Sequence, residues 1–270
     1  MLVMFVGLLI GILGILISFL RREIDLGTFI IVFVPIILLI VRPLVVFSLG
    51  SLLVTFGQPN IAETLYSLMI GIAPKFGFAY FQRGILRQNR EDMNEALSDY
   101  EIALNIAKAK TTLAKPPLWS VNYSAALIRS LKVDIYLFKQ DEQQAIIECN
   151  NGLELNENDQ SITLFLKYQR GYAQLVIGNY EDALLDFNCI YFNGELTARE
   201  RPFETELYAL KALAYYKLED FDEANMLWEK AVKLDHNYTN QDWLHDTCRW
   251  PEGLIQTAGS IRTDVNNTTS

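Results

Sequence analysis

Hydrophobic and polar positions divide this chain into a strongly apolar start and a mixed remainder. Residues 1–20 carry no charged side chain, and neither do residues 26–41. A helix of about 20 apolar residues crosses a bilayer core of about 30 Å. The first run therefore predicts a transmembrane helix, and the second predicts another if it continues past Arg42 and Pro43. Since only residues 21–25 separate the two runs, we predict a transmembrane helical hairpin over residues 1–42.

A cleaved signal peptide is the alternative for the first run. Signal peptides begin with positive charges and end at a small-residue cleavage site before a polar mature start. Residues 1–20 lack both features, and a second apolar run follows at once. We therefore interpret the run as an uncleaved anchor.

Small residues recur with a long period in the rest of the chain. Ala62 and Ala96 lie 34 residues apart, and each follows a glycine, Gly50 or Gly84, by twelve positions. Corresponding alanines at 145, 183 and 224 extend the series with steps of 49, 38 and 41. Such a period predicts stacked helical hairpins in which small residues lie where the two helices cross. The added residues are expected in loops, at 110–117 and 193–202, where proline and glycine occur.

The first copy resembles the tetratricopeptide repeat (TPR) family. The resemblance is carried by Leu49, Gly50, Gly57, Ala62, Tyr66 and Pro74 at their expected spacings. It extends over residues 43–235 and implies an all-α protein with a TPR-like α-solenoid of about five helical hairpins. The third copy is divergent, because Val133 stands where a small residue belongs.

Two tryptophans, Trp243 and Trp250, follow the fifth copy at a spacing of two helical turns. They predict a capping helix over residues 236–255 that covers the last repeat. A docking site anchored by these tryptophans is the alternative. Residues 256–270 are polar and are predicted to be disordered.

The TPR resemblance also implies a concave groove lined by the first helix of each hairpin. The groove positions that would bind a protein partner are Phe78, Phe81, Ile85, Phe165, Tyr168, Tyr172, Leu213 and Tyr216. Aromatic side chains give a large contact area at low entropic cost, so this groove suits an apolar or helical segment of a partner. Packing of the same aromatics within the superhelix is the alternative.

Charge limits the classes of partner. The net charge is −9, and all of it falls after Pro74. An acidic domain does not favour nucleic acid, whose phosphates require clustered basic side chains. Arg83, Arg87 and Arg90 are spaced for one helix face. A solvated helix face is the preferred interpretation, and contact with lipid headgroups or an acidic partner is the alternative.

The sequence contains no motif for catalysis, so we predict that the protein is not an enzyme and binds no cofactor or metal. Glycine-rich phosphate loops, G-x-S-x-G and H-E-x-x-H are absent. His245 and Cys248 form a lone pair with too few ligands for zinc. The three cysteines, Cys149, Cys189 and Cys248, are interpreted as free thiols.

The charges near the apolar runs favour more than one orientation in the membrane. Arg21 and Arg22 favour a cytoplasmic turn, which would place the repeats on the opposite side. A third span over residues 44–56 would return them to the cytoplasm, whereas the repeat frame makes this segment a helix at the bilayer surface. Because TPR proteins are mostly intracellular, a cytoplasmic repeat domain is our expectation.

These features together predict a membrane-anchored TPR scaffold. In architecture it is similar to TPR assembly factors of photosynthetic membranes, including the photosystem I assembly type. The resemblance implies membrane-protein subunits as partners, held beside the lipid bilayer. A permanent accessory subunit of a membrane enzyme or transporter is the alternative, followed by a membrane enzyme with an unrecognised site.

Overall fold

The computed structural model describes residues 43–111, 124–155, 159–190 and 201–268, and within these ranges the chain is all-α. Twelve α-helices and one 3₁₀ helix occur there. The helices are α1 (Pro43–Thr55), α2 (Pro59–Ile72), α3 (Gly77–Gln88), α4 (Met93–Thr111), α5 (Ala125–Phe138), α6 (Glu142–Leu153), α7 (Gln160–Val176), α8 (Tyr180–Asn188), α9 (Arg201–Lys217), α10 (Phe221–Leu234), the 3₁₀ helix (His236–Thr239), α11 (Gln241–Asp246) and α12 (Glu252–Thr268).

The first ten helices form five antiparallel hairpins, α1–α2 to α9–α10, each packed against the next. This confirms the all-α, TPR-like solenoid. The predicted transmembrane hairpin over residues 1–42 lies outside the described residues. Among the helices that the structure does describe, none has both the length and the apolar character needed to span a bilayer. Residues 44–55 lie in α1, the chain turns back at Gly57, and α1 packs on α2.

The turn inside each hairpin has the same backbone geometry. One residue per turn has a positive φ, and these residues are Gly57, Glu91, Gln140, Gly178 and Glu219. The residue that follows donates its N–H to a carbonyl five positions back, as from Asp92 to Arg87 at 2.9 Å. This hydrogen bond is that of a Schellman motif, which ends a helix through a left-handed residue. Each such residue precedes the repeat alanine by five positions, so the turns follow the sequence period.

Glycine at the helix crossing makes room for an aromatic ring sixteen residues later. A Cβ added to Gly84 would lie 2.6 Å from the Tyr100 ring, and one added to Gly171 would lie 2.7 Å from the Phe187 ring. Gly50 has the same relation to Tyr66. Glycine is therefore required for close approach in these hairpins rather than for flexibility.

The divergent third hairpin keeps the same crossing with the sizes exchanged. Val133 occupies the glycine position and Cys149 the aromatic position, and both are fully buried in one cluster. A larger side chain on one helix is matched by a smaller one on the other, which preserves the packed volume. The substitution that marked this copy as divergent is thus compensated within the hairpin.

The C-terminal cap is built differently from the prediction. Trp243 lies in the short helix α11, whereas Trp250 lies between α11 and α12, so the two do not share one helix. The prediction of disorder after residue 255 is wrong for residues 256–268, which belong to α12. Buried apolar positions explain the helix, because Ala258 and Ile261 pack into the core of the fifth hairpin. Two loop boundaries also shift, since α4 continues to Thr111 and α9 begins at Arg201.

The first hairpin exposes a dense group of large apolar side chains. Seven of them are exposed between residues 49 and 72: Leu49, Leu52, Val54, Phe56, Ile61, Leu68 and Ile72. Phe56, at the turn, is 71% exposed. Single apolar residues are normal on a protein surface, but seven exposed within 24 positions of one hairpin are a concentration typical of an interaction surface. We call this group the apolar face of the first hairpin.

Candidate functional site: the concave groove

The first helices of successive hairpins line the inner surface of a solenoid of this kind. After the first hairpin they are α3, α5, α7 and α9, and the predicted groove residues lie on α3, α7 and α9. Three of these residues are buried rather than available to a partner. Phe78 is 3% exposed, Phe81 is 5% exposed and Leu213 is fully buried. They belong to the hydrophobic cores between helices, so their assignment to the binding surface is corrected.

The other predicted groove residues reach the surface to different degrees. Phe165 is 39% exposed and stacks on Tyr168 with ring centroids 6.3 Å apart. Tyr168 also contacts Phe203 on α9 at 4.5 Å, which joins two hairpins. Ile85, Tyr172 and Tyr216 are partly buried against the same cores. Phe165 is therefore the predicted groove side chain best placed to meet a partner.

Two partly buried carboxyl groups lie on this surface. Asp134 on α5 accepts a hydrogen bond from the Gln169 amide on α7, and Gln169 also donates to the Ser130 carbonyl at 3.0 Å. Burial raises the pKa of Asp134 to about 6. Burial likewise raises the pKa of Glu206 on α9, although interactions with Tyr168 and Trp250 oppose the rise. The groove floor therefore gains negative charge as the pH rises through the pKa values of these groups.

The three arginines predicted to contact lipid or an acidic partner already have partners within the chain. Arg83 forms a bidentate pair with Asp99 at 2.7 and 2.9 Å. Arg87 contacts both Asp99 and Glu63, and Arg90 pairs with Glu63 at 2.6 Å. The network joins α2, α3 and α4. These side chains stabilise the packing of the first two hairpins, and their predicted role in external binding remains a prediction.

The same ion pair recurs in the next two hairpins, and it was not predicted from the sequence. Lys132 pairs with Glu148 at 2.7 Å, and Arg170 pairs with Asp186 at 2.7 Å. Each basic residue immediately precedes the crossing residue, and its acidic partner lies sixteen positions later. That spacing could have been found in the sequence. In the fifth hairpin, Leu227 replaces the acid opposite Lys211, whose pKa is lowered by burial.

The cysteine and histidine side chains do not form a site within the residues that the structure describes. Cys149 is buried, Cys189 is exposed and Cys248 is partly buried, and all three are free thiols. Burial raises the pKa of Cys149, which makes that thiol unreactive. Within the described ranges, no group of three or more His, Cys, Asp or Glu side chains is arranged to hold a metal ion.

Comparison with known proteins agrees with this geometry. Residues 205–238, which include most of α9 and all of α10, match the tetratricopeptide repeat family model. No curated protein matches the chain. Several solved structures share the fold, and the chain is therefore an α-solenoid of the TPR type.

Three of these structures show the extent of the likeness. YrrB, described as a TPR protein with an unusual peptide-binding site, is 16% identical with a TM-score of 0.53, over 80% of this chain and 90% of that chain. The MamA protein is 15% identical with a TM-score of 0.53, over 72% of this chain and 92% of that chain. A TPR protein from Parabacteroides merdae is 16% identical with a TM-score of 0.54, over 83% of this chain and 77% of that chain. At these identities the likeness defines the fold alone.

Proposed function

We propose that the protein is a membrane-anchored scaffold that binds protein partners in its concave groove and holds them beside the bilayer. Its narrower form is an assembly factor for membrane-protein complexes, as the architecture suggests. The observation that carries the proposal is the apolar face of the first hairpin. This face follows directly after residues 1–41, which contain two long charge-free runs.

The position of the apolar face supports a fixed distance between groove and bilayer. The face begins at Leu49, and α1 begins at Pro43, with only Arg42 between it and the second charge-free run. A flexible linker would separate the two units, but none intervenes between Arg42 and α1. The hairpins would therefore be held against the lipid surface rather than tethered at a distance from it.

The groove itself supports protein binding rather than catalysis. Its surface combines partly exposed aromatic side chains such as Phe165 with two carboxyl groups, Asp134 and Glu206. Aromatic anchors carry much of the energy at protein interfaces. The peptide-binding site named in the description of YrrB supports the same use of this fold.

Site-specific photo-crosslinking tests the proposal. A photoreactive amino acid at Phe165 would lie in the groove, whereas one at Leu185 on α8 would lie on a second helix. Leu185 is 68% exposed and serves as the matched control. We expect discrete protein crosslinks from position 165 in native membranes and none of the same size from position 185. Equal crosslinking from both positions would argue against the groove as the binding surface.

Stoichiometry separates the assembly factor from the permanent accessory subunit. After detergent extraction and affinity purification, an assembly factor should be recovered with immature subunits in less than equimolar amounts. Equimolar recovery with one mature complex would reject that role and support the accessory subunit.

Labelling of Cys189 tests the orientation. This thiol is exposed at the end of α8, while Cys149 is buried. A membrane-impermeant maleimide should label the chain only after permeabilisation if the hairpins are cytoplasmic. Labelling of intact cells, lost in Cys189→Ser, would place them on the opposite side.

A further inference from the structure

The chain between the fifth hairpin and the last helix is unusually long. Residues 235–251 connect α10 to α12, whereas residues 73–76 suffice between α2 and α3. This connection contains the 3₁₀ helix, α11 and the dipeptide Arg249-Trp250. It is not needed for the solenoid to continue, because α12 itself packs against α9 and α10.

Trp250 anchors this connection against the last two hairpins. Its side chain is 2% exposed and packs on Tyr238 with ring centroids 5.9 Å apart. Its backbone N–H donates to the Leu244 carbonyl at 3.1 Å. The indole nitrogen is buried and faces the Glu206 carboxyl without a hydrogen bond of ordinary geometry. The indole therefore reaches a groove carboxyl of α9.

Arg249 extends the contact to the third hairpin. Its guanidinium lies 5.4 Å from the centre of the Phe138 ring on α5. Phe138 lies one helical turn after Asp134, so both belong to the same face of α5. Arg249 also has a φ of 55°, a left-handed conformation that is unfavourable for a residue other than glycine. Contacts on both sides of it must hold the dipeptide in this conformation.

Cys248 lies in the same part of the structure. It packs against the same core as Tyr172 of α7. The electrostatic environment of Cys248 includes Glu206, and that of Tyr172 includes Cys248. Arg249 and Trp250 thus reach α5 and α9, the first helices of the third and fifth hairpins, as a peptide lying across the groove would.

We propose that residues 248–250 occupy the groove as an internal ligand, and that the external partner is a protein segment carrying a basic residue followed by tryptophan. This inference rests on the groove being the binding surface of the proposed function. An aromatic side chain fits the Trp250 position, and a cation fits the face of the Phe138 ring. The carboxyl groups of Asp134 and Glu206 disfavour an acidic segment in the same place.

Competition within one chain gives the proposal a direct test. The probe is a fluorescent peptide of residues 246–252 in which serine replaces Cys248. It is added to the full-length chain in detergent, and binding is followed by fluorescence anisotropy. Arg249→Ala with Trp250→Ala removes the internal ligand, so this variant should bind the peptide at least about tenfold more tightly than the unaltered chain. Adding Phe138→Ala should remove part of that gain.

The single variant Arg249→Ala keeps the test decisive if the double variant fails to fold. The Arg249 side chain is exposed, so its loss leaves the core intact. Loss of one exposed cation–π contact should tighten peptide binding by about two- to fivefold. Unchanged binding in Arg249→Ala with an unaltered helical spectrum overturns the proposal, as does equal binding of a control peptide with glutamate and alanine in place of arginine and tryptophan.

Failure of this assay is distinct from failure of the scaffold role. The peptide assay requires no natural partner, and the crosslinking assay requires no internal ligand. If position 165 crosslinks a protein while the peptide does not compete, the groove binds a partner of another chemistry and residues 248–250 are only part of the cap.

Discussion

Adding a single methyl group at the crossing of the second hairpin should destabilise it. In Gly84→Ala the new Cβ would lie 2.6 and 2.8 Å from two atoms of the Tyr100 ring. Tyr100 is fully buried, and its hydroxyl donates to Gln88 at 2.7 Å, so the ring cannot move aside freely. Overpacking of this kind costs about 1–3 kcal/mol. The higher helix propensity of alanine returns about 0.5–1 kcal/mol, which leaves a net loss between about 0 and 2.5 kcal/mol and centred near 1 kcal/mol.

Gly71→Ala is the matched control. Gly71 also lies inside a helix, α2, but nothing approaches within 4 Å of a Cβ at this position. Only the propensity term applies, so this variant should be more stable by about 0.5–1 kcal/mol. The two substitutions are chemically identical and are expected to have opposite signs.

The third hairpin suggests a rescue. Gly84→Val with Tyr100→Cys reproduces the Val133 and Cys149 pair of that hairpin. The first change alone overpacks the crossing, and the second alone leaves a cavity that costs about 3–5 kcal/mol. Together they should lose less than the sum, by about 1–3 kcal/mol of coupling. Additive losses would refute size exchange as the explanation of the divergent repeat.

Hydrogen exchange measures these effects better than a global melt does. Repeat proteins can lose two-state behaviour, so one unfolding free energy does not describe every hairpin. Exchange of the amides in α3 and α4 of the full-length chain in detergent reports the opening of the second hairpin. We expect faster exchange there in Gly84→Ala and unchanged exchange in α9 and α10.

Three further predictions follow from buried charge and backbone strain. Asp134→Asn should stabilise the chain by up to about 3 kcal/mol near pH 7 and leave its stability unchanged below about pH 4. The reason is that the raised pKa of Asp134 weakens the folded state as the pH rises from about 4 to 6. An equal effect of the substitution in urea titrations at both pH values would contradict this. Arg170→Met should destabilise the folded chain by about 3–5 kcal/mol, because it leaves Asp186 buried and unpaired. Adding Asp186→Leu should recover most of this loss. A further loss of stability in the double variant would show that the ion pair itself is required. Gln140→Gly should stabilise the folded chain by up to about 1 kcal/mol and Gly178→Ala should destabilise it, because both positions have positive φ. Midpoint temperatures of unfolding that shift in the same direction for both variants would count against this.

The repeat frame was predictable because it depends on local spacing. Ala62 and Gly50 are fixed by the crossing inside one hairpin, and the sequence repeats that relation in each copy. The buried ion pairs were equally open to prediction, since Arg83 and Asp99 repeat as Arg170 and Asp186 at the same separation. A spacing that recurs in several copies supports a structural prediction, because every copy must satisfy the same geometry.

The binding surface was less predictable because it depends on contacts between distant segments. The TPR frame places Phe78 and Leu213 on first helices, but packing between neighbouring hairpins buries them. Likewise, Trp250 precedes a proline and resembles the end of a helix in the sequence. No local sequence pattern predicts its contact with Glu206, which lies more than forty residues earlier.

The two ends of the described solenoid differ in what they expose, and under the proposed function this leaves the middle hairpins for the partner. The first hairpin exposes apolar side chains such as Phe56, and the last hairpin is covered by residues 235–251. A partner segment would therefore enter beside Ile85 on α3 and Phe165 on α7, and would meet residues 248–250 as it advances toward α9. Capture at the groove and release of the internal ligand would then be one event, and a segment that only contacts the first hairpins would bind without displacing Arg249.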